Sequence, residues 1–285
     1  MKRLSDIGTI KEILLKHGFT FSKALGQNFL VNPSVCPRMA ELSGAGQGIG
    51  VIEVGPGIGV LTNELCLLAD KVVAIELDKR LLPVLDETLA EYDNVKIINA
   101  DVLELDLRRL IEEEFQGMEV VVCANLPYYI TSPVIMKLLE DRLPVTAVTV
   151  MVQKEAAQRI CAKVGSRESG AVTVSVNYYA EPELLFNVSA GSFMPAPKVD
   201  SAVLRLNIRK EPPVQTDEAA FFKVVKAAFS QRRKVISNSL SAGLGLDKAK
   251  VSIMLENAGV AANARAEQLS LEDFAAIANQ LNGGK

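Results

Sequence analysis

The stretch "GVIEVGPGIGVLT" (residues 50–62) joins an apolar run to a helical pattern through a glycine-rich turn. The run "GVIEVG" predicts a buried strand, and "VLTNELCLLA" after the turn predicts a helix. Glycines at such a junction let the backbone approach a ligand closely. The stretch therefore predicts an α/β fold with a ligand site at the end of this strand.

Four more apolar runs follow the turn and alternate with helical patterns. The runs cover residues 71–77, 95–101, 119–125 and 145–153. Strands that alternate with helices and carry unbroken Val/Ile runs are typical of a parallel, doubly wound sheet. Two later runs, 171–180 and 201–208, alternate apolar with polar residues and predict antiparallel strands at an edge of that sheet.

A proline-containing linker divides the sequence. "KEPPVQTDE" (210–218) holds two prolines, and Thr216 is a candidate N-cap for the helix that follows. Beyond the linker the pattern is helical, with no strand-like run. We therefore expect two domains, residues 1–210 with the sheet and residues 211–285 as a small all-helical domain.

The charge of the chain is unevenly distributed. The formal net charge is −3, but residues 221–250 contain seven Lys or Arg and one Asp. Such a segment either attracts an anionic partner or forms a solvated helix face. Composition alone does not distinguish these two interpretations.

Cysteine and histidine are too sparse for several classes of site. The four cysteines are widely spaced, with no C-x-x-C pair, and His17 is the single histidine. The sequence therefore predicts no metal site, no disulfide framework and no Cys/His nucleophile.

No apolar run reaches the length of a membrane span, and the N-terminus lacks a signal-peptide core, so we expect a cytoplasmic protein.

The order of residues in the glycine-rich turn indicates which cofactor it would bind. A dinucleotide fingerprint needs Gly or Ala at the sixth position counted from Gly55, but Val60 stands there. The third glycine comes early, at Gly59, and Glu53 precedes the first. The pattern E-x-G-x-G-x-G looks like the turn that binds S-adenosylmethionine (SAM) rather than NAD.

Two acidic residues follow the next two predicted strands. Glu76 ends the second strand, where a carboxylate can accept hydrogen bonds from ribose hydroxyls, and Asp101 ends the third, where it can accept from an adenine amino group. Either acid could instead cap the following helix. Because the turn and both acids lie at successive strand ends, we expect them to form a nucleoside pocket.

Motifs in the order typical of one family extend from about residue 20 to residue 240. They are "GQNFL" (26–30), "EVGPGIGVLT" (53–62), "IELD" (75–78), "NADVLELD" (99–106), "NLPYYI" (125–130), "FMPAPKVDSAV" (193–203) and "AFSQRRKVISNSL" (228–240). Together they closely resemble the small-subunit rRNA dimethyladenosine transferases, the bacterial kasugamycin-sensitivity methyltransferases.

The resemblance implies a Rossmann-like SAM-dependent methyltransferase sheet with helices on both faces, and a helical C-terminal domain that recognises RNA or the ribosomal subunit. It implies transfer of methyl groups from SAM to N6 of two adjacent adenines in a hairpin near the 3′ end of 16S rRNA during ribosome biogenesis. The partner would be the 30S subunit or its assembly intermediate. We expect a monomer, since no surplus apolar stripe suggests an interface.

The resemblance also implies the residues of the site. The implied cofactor-binding residues are Asn28, Leu30, Gly55, Gly57, Glu76, Asp101, Val102 and Asn125. The implied catalytic residues are Asn125, Leu126, Pro127, Tyr128 and Phe193.

A chemical interpretation of "NLPYYI" follows from this resemblance. The Asn125 side-chain oxygen and the Leu126 carbonyl would accept the two N6 hydrogens and aim the nitrogen lone pair at the methyl group. Pro127 would stiffen the backbone, and the ring of Tyr128 would stack on a flipped base. Phe193 resembles the second aromatic of a sandwich, and Tyr129 is expected to be a core or edge aromatic.

Two basic clusters are candidate RNA-binding residues. One comprises Arg232, Arg233 and Lys234, and the other includes Lys154 and Arg159. Lys and Arg bind RNA by neutralising phosphates. Arg233 and Lys234 could instead pair with acids of the larger domain.

Three other functions are less consistent with the sequence. A macrolide-resistance methyltransferase acting on large-subunit rRNA would tend to have N-I-P-Y/F where this chain has Leu126. An NAD-dependent oxidoreductase is disfavoured by Val60 and by the absence of a nearby proton donor. A non-catalytic assembly factor is disfavoured by the intact Glu76, Asp101 and Asn125.

Overall fold

A computed structural model describes residues 4–20, 22, 26–231 and 233–282 of the chain. The chain forms two compact units, Met1–Ala157 with Glu183–Ile208, and Gln158–Pro182 with Arg209–Lys285. The C-terminal part of the second unit begins at Arg209, two residues before the start predicted at residue 211. Residues 158–182 also lie in the second unit, although they were predicted to belong to the first domain.

The strands form a mixed sheet and one short ribbon. Their bounds are β1 Phe29–Leu30, β2 Ile49–Val54, β3 Lys71–Glu76, β4 Val95–Asn99, β5 Glu119–Asn125, β6 Ala147–Gln153, β7 Ala180–Val188, β8 Phe193–Met194 and β9 Ser201–Ile208. The large sheet has seven strands in the order β4-β3-β2-β5-β6-β9-β7, and β1 pairs with β8 in the ribbon. Its first five strands are parallel, and β9 runs antiparallel to β6.

The strand order determines where a ligand can bind. β3 and β4 extend the sheet on one side of β2, while β5 and β6 extend it on the other. Because the order reverses between β2 and β5, a crevice opens beyond the carboxyl ends of these strands. Buried Val and Ile fill β2, β3 and β5, as expected for strands covered on both faces. The predicted doubly wound α/β fold is confirmed.

Helices connect the strands and make up most of the C-terminal part. Their bounds are α1 Ile7–Lys16, α2 Val35–Leu42, α3 Val60–Leu68, α4 Leu82–Thr88, α5 Leu107–Phe115, α6 Thr131–Glu140, α7 Lys154–Ile160, α8 Ala171–Tyr179, α9 Glu218–Phe229, α10 Ile236–Leu244, α11 Lys248–Asn257 and α12 Leu271–Asn282. In the first unit α3, α4 and α5 pack against β3, β4 and β5 respectively. In the second unit α9 packs against α8, α10 and α12, with Tyr178, Phe221 and Phe274 buried.

The strand predicted at 171–180 is wrong, because residues Ala171–Tyr179 form helix α8. Six of its nine residues are buried, so its apolar pattern reflects burial on most sides rather than a two-residue period. The Thr173 hydroxyl accepts the Gly170 N–H (2.9 Å) and donates to the Arg159 carbonyl (2.7 Å), which fixes the start of the helix.

Two smaller expectations also change. The antiparallel strand at 201–208 is confirmed as β9, but it lies between β6 and β7 rather than at the edge. The N-cap of α9 is Asp217, whose carboxylate accepts the Ala220 N–H at 2.8 Å, and Thr216 is not the cap.

No helix in the described part of the chain is long and apolar enough to cross a membrane. The same residues contain no cluster of His, Cys, Asp and Glu that could hold a metal ion.

Candidate active site

The glycine-rich turn after β2 adopts a conformation that favours glycine. Gly55 and Gly57 have φ angles of 70° and 61°, in the left-handed region. A Cβ on Gly57 would lie 3.2 Å from the Phe29 ring, so a side chain there would push that ring away. The turn therefore brings bare backbone into the crevice predicted from the strand order.

Glu76, the last residue of β3, presents an ordered carboxylate beside this turn. It is 6% exposed, and its two oxygens accept the Asp78 N–H at 2.7 Å and the Gly57 N–H at 3.3 Å. Burial raises the pKa of Glu76, and the backbone N–H groups of Asp78, Gly57 and Leu77 partly offset this rise. Each carboxylate oxygen keeps a further lone pair with which to accept a ligand hydroxyl.

Asp101 and Val102 follow β4 and form the next part of the same wall. The Asp101 carboxylate accepts the Leu103 N–H at 2.9 Å, so it orders the turn that it begins. Val102 is buried and supplies an apolar surface beside it. Asp101 therefore lies at the cleft and orders a turn, whereas the N-cap of the following helix α5 is Asp106, whose carboxylate accepts the Arg109 N–H.

The segment before α2 also lines the cleft. The Asn28 side chain donates to the Gly26 carbonyl at 2.9 Å, which fixes the bend leading into β1. Within the ribbon Leu30 pairs with Phe193 of β8. This pairing brings the "GQNFL" and "FMPAPKVDSAV" motifs together although more than 160 residues separate them.

The "NLPYYI" stretch continues from the end of β5. The Leu126 N–H donates to the Met151 carbonyl at 3.2 Å and the Ile130 N–H donates to the Pro127 carbonyl at 3.1 Å, so a tight turn follows Asn125. The Tyr128 hydroxyl and the Ser201 hydroxyl are hydrogen-bonded at 2.7 Å. Partial burial raises the pKa of Tyr128, and the bond to Ser201 partly opposes that rise.

All these elements face one open cleft in the first unit, with a volume of about 1080 Å³ including the solvent at its mouth. Every residue implied to bind the cofactor and every residue implied to be catalytic lines this cleft. Phe193 lines it while being 5% exposed. The structure brings these side chains together, and their individual roles remain predictions.

Sequence reasoning missed several residues of the cleft. Tyr129 is 53% exposed and lines the cleft, so it is not a core aromatic. Partial burial raises the pKa of Tyr129, and the negative charges of Asp101 and Glu76, which line the same cleft, add to this rise. Gln27 also lines the cleft. Its position beside Asn28 in the "GQNFL" motif could have identified it as a residue of the site.

Glu53 lines the cleft as well, although the sequence used it only to classify the glycine turn. It is 1% exposed, and no described group hydrogen-bonds to its Oε2 atom. Burial raises its pKa to about 8, the nearby Thr62 hydroxyl partly opposes this, and the charge of Glu76 adds to it.

The predicted RNA-binding residues are distributed over both units. Lys154 belongs to the first unit, whereas Arg159, Arg233 and Lys234 belong to the second. Arg159, Arg233 and Lys234 are exposed, and Lys154 is partly exposed. Within the second unit, neither Arg233 nor Lys234 forms an ion pair with a residue that the structure describes. Arg232 lies outside the described residues.

Comparison with known proteins gives the family. Residues 18–283 match the family model described as ribosomal RNA adenine dimethylase. The chain belongs to the ribosomal RNA adenine dimethylase family. A curated relative from Oceanobacillus iheyensis named Ribosomal RNA small subunit methyltransferase A is 49% identical over 98% of this chain and 96% of its own.

Solved structures resemble this dimethylase family member along most of its length. A dimethyladenosine transferase from Plasmodium falciparum is 25% identical with a TM-score of 0.75, over 90% of this chain and 98% of its own. The 23S rRNA methyltransferase ErmE is 29% identical with a TM-score of 0.67, over 90% of this chain and 100% of its own. Membership of the dimethylase family contradicts the NAD-dependent alternative.

Proposed function

We propose that the protein transfers methyl groups from SAM to N6 of two adjacent adenines in a hairpin near the 3′ end of 16S rRNA, giving N6,N6-dimethyladenosines. The observation that carries this proposal is that Asn125 and the turn after it face the same cleft as the glycine turn, Glu76 and Asp101. A nucleoside site and an amine-accepting site thus adjoin. The 49% identity to a small-subunit methyltransferase supports the choice of rRNA.

The cleft has the donors and acceptors that SAM requires. The bare backbone at Gly57 leaves room for a close approach, and the Glu76 carboxylate is held with lone pairs available for two ribose hydroxyls. Asp101 would accept from the adenine amino group while Val102 covers the ring. Asn28 and Leu30 would contact the remaining part. When bound, SAM supplies an electrophilic methyl group on a sulfonium.

Asn125 and Leu126 position the accepting amine. Among the described residues no group hydrogen-bonds to the Asn125 side chain or to the Leu126 carbonyl, so both oxygens can accept an N6 hydrogen. The Leu126 N–H bond to Met151 ties this carbonyl to the sheet. Holding two reactants in such a geometry replaces a bimolecular encounter by an oriented one, which is a large part of catalysis for simple transfers.

Tyr128 and Phe193 hold the target base. The hydrogen bond to Ser201 restrains the Tyr128 ring, whose face can then stack on a base taken out of its helix. Such stacking contributes about 1–3 kcal/mol per base. No general base is needed, because the N6 proton becomes acidic only once the methyl group has been added.

The second unit and the basic residues bind the RNA phosphates. Residues 211–285 form the recognition domain in this proposal, with Arg233 and Lys234 exposed on it and Arg232 between Gln231 and Arg233 in sequence. Lys154 and Arg159 add further positive charge. The enzyme acts as a cytoplasmic monomer on the 30S subunit or its assembly intermediate.

The test is transfer of labelled methyl from SAM to unmethylated small subunits, with large subunits in parallel and nucleosides identified after digestion. N6,N6-dimethyladenosine from the small subunit alone is expected. Label in the large subunit would move the protein to the activity named for ErmE. Binding of SAM without transfer to either subunit would contradict the proposed substrate.

A further inference from the structure

Asp78 lies outside the cleft but connects two of its walls. The Gln27 side chain donates to Asp78 Oδ2 at 2.8 Å, and the Asp78 N–H donates to Glu76 Oε1 at 2.7 Å. Gln27 directly precedes Asn28, and Glu76 presents its carboxylate in the cleft. One residue thus touches the loop with Asn28 and orients the carboxylate on the facing strand.

The carboxylate of Asp78 is itself held in a fixed orientation. Arg80 donates to Oδ1 through Nε at 2.9 Å and to Oδ2 through a terminal nitrogen at 2.6 Å, while its backbone N–H donates to Oδ1 at 3.1 Å. These bonds lower the pKa of Asp78, with the Arg80 side chain as the largest cause. Since Asp78 is 7% exposed, its bond to Gln27 is shielded from water.

The chain before the cleft is fastened at further points by the same residues. Gln27 Oε1 accepts the Ser22 N–H at 2.8 Å. Arg80 donates to the Thr20 carbonyl at 3.3 Å, and its guanidinium lies 5.0 Å from the centre of the Phe19 ring. Gln27 therefore has both ends of its amide occupied, and it can hold the loop in one position.

We propose that Asp78 is a positioning residue for the cofactor: its bond to Gln27 holds the loop bearing Asn28 against the strand bearing Glu76. This inference rests on the proposed use of SAM. In this proposal Asp78 neither contacts the cofactor nor takes part in the transfer step. The consequence is that loss of the bond weakens cofactor binding and leaves the reaction at saturating cofactor largely unchanged.

The experiment measures binding of SAM and of S-adenosylhomocysteine to the full chain by calorimetry, for Gln27→Ala, Asp78→Ala and the double variant. A hydrogen bond to a charged group corresponds to an increase in Kd of about ten- to hundredfold when it is removed. Because both single variants break the same bond, the double variant is expected to bind about as weakly as either one. Asp78→Asn, which keeps the volume and one acceptor oxygen, is expected to lose less affinity than Asp78→Ala.

Arg109→Ala is the matched control, because it removes an exposed arginine–carboxylate pair, with Glu113, within α5 of the same unit. Its Kd is expected to match that of the unchanged protein. In methyl transfer, the Asp78 variants should raise KM for SAM while kcat and KM for RNA stay within about twofold. If the role of Asp78 were purely structural, its variants would lower the thermal unfolding midpoint without a selective rise in KM for SAM.

Two results overturn the inference: folded Asp78 variants that bind both ligands as the unchanged protein does, or single-variant effects that add fully in the double variant. If the unchanged protein binds neither ligand, both this inference and the proposed cofactor are wrong. If the unchanged protein binds SAM but methylates no rRNA, the proposed substrate fails while the binding comparison still decides the role of Asp78.

Discussion

Replacing Glu53 by Gln is expected to stabilise the protein, and to do so increasingly as the pH rises. Glu53 is buried in β2, and no described group hydrogen-bonds to its Oε2 atom. The titratable groups that interact with it are Glu76 on β3, Cys123 on β5, Cys66 on α3 and Cys36 on α2. None of them is a cation that would favour the charged carboxylate. Gln retains the shape of the side chain and removes its ionisation.

The magnitude follows from the two pKa values. The carboxyl has a pKa of about 8 in the folded state and an ordinary value of 4.5 when unfolded. Because the folded value is higher, its stabilising contribution is fully present below about pH 4.5 and is lost as the pH rises through about 8. At 1.36 kcal/mol per unit, the loss reaches roughly 3 kcal/mol at pH 7 and roughly 4 kcal/mol at pH 8.

The assay is urea unfolding of the cofactor-free protein at pH 5, 6, 7 and 8, with Glu112→Gln on the exposed side of α5 as the control. The free energy of unfolding of Glu53→Gln minus that of the unchanged protein should grow from less than about 1 kcal/mol at pH 5 to the values above. The control difference should stay flat. A flat difference for Glu53→Gln as well would show that this carboxyl does not titrate in the range, and the reasoning from burial would be refuted.

Three further results are expected. Asn125→Ala should reduce methyl transfer by about 10²-fold or more while SAM affinity, measured by calorimetry, stays within a few fold; a fully active variant would contradict the positioning of the amine. Neutralising Arg233 and Lys234 together should weaken RNA binding and reduce the salt slope by about 1.4; an unchanged slope would assign both to a solvated surface. Gly57→Ala should destabilise the turn by about 1–2 kcal/mol, because it has φ 61° and Phe29 is 3.2 Å from the added Cβ, as seen by thermal unfolding and a raised Kd for SAM.

The convergence of the glycine turn, Glu76 and Asp101 on one cleft was largely predictable from the sequence. Parallel strands place their carboxyl ends at one edge of a sheet, so residues that follow successive strands in sequence must converge in space. For this reason the glycine turn, Glu76 and Asp101 could be assigned to one pocket before the fold was known. Their arrangement depends on strand periodicity, which a single sequence displays.

Contacts that depend on side-chain packing were not predictable. Nothing local joins Gln27 to Asp78, which are 51 positions apart, and the bond exists only because the segment before β1 folds back over the end of β3. The exposure of Tyr129 and the helix at Ala171–Tyr179 have the same origin. An apolar or aromatic residue signals burial or binding, and only its neighbours in space decide between them.

The antiparallel strand β9 has a consequence for how the specificity of such an enzyme can change. Because it runs against β6, its first residue, Ser201, meets the last residue of β6, Gln153, and so reaches the edge where the parallel strands end. In the proposed function, residues 125–130 and 193–201 form the half of the cleft that faces the acceptor, and residues 26–102 form most of the half that faces the cofactor. The two halves thus come from separate stretches of the sequence. If the proposed function holds, substitutions in the later stretch can therefore change which nucleotide is accepted, while the residues that bind the methyl donor stay the same.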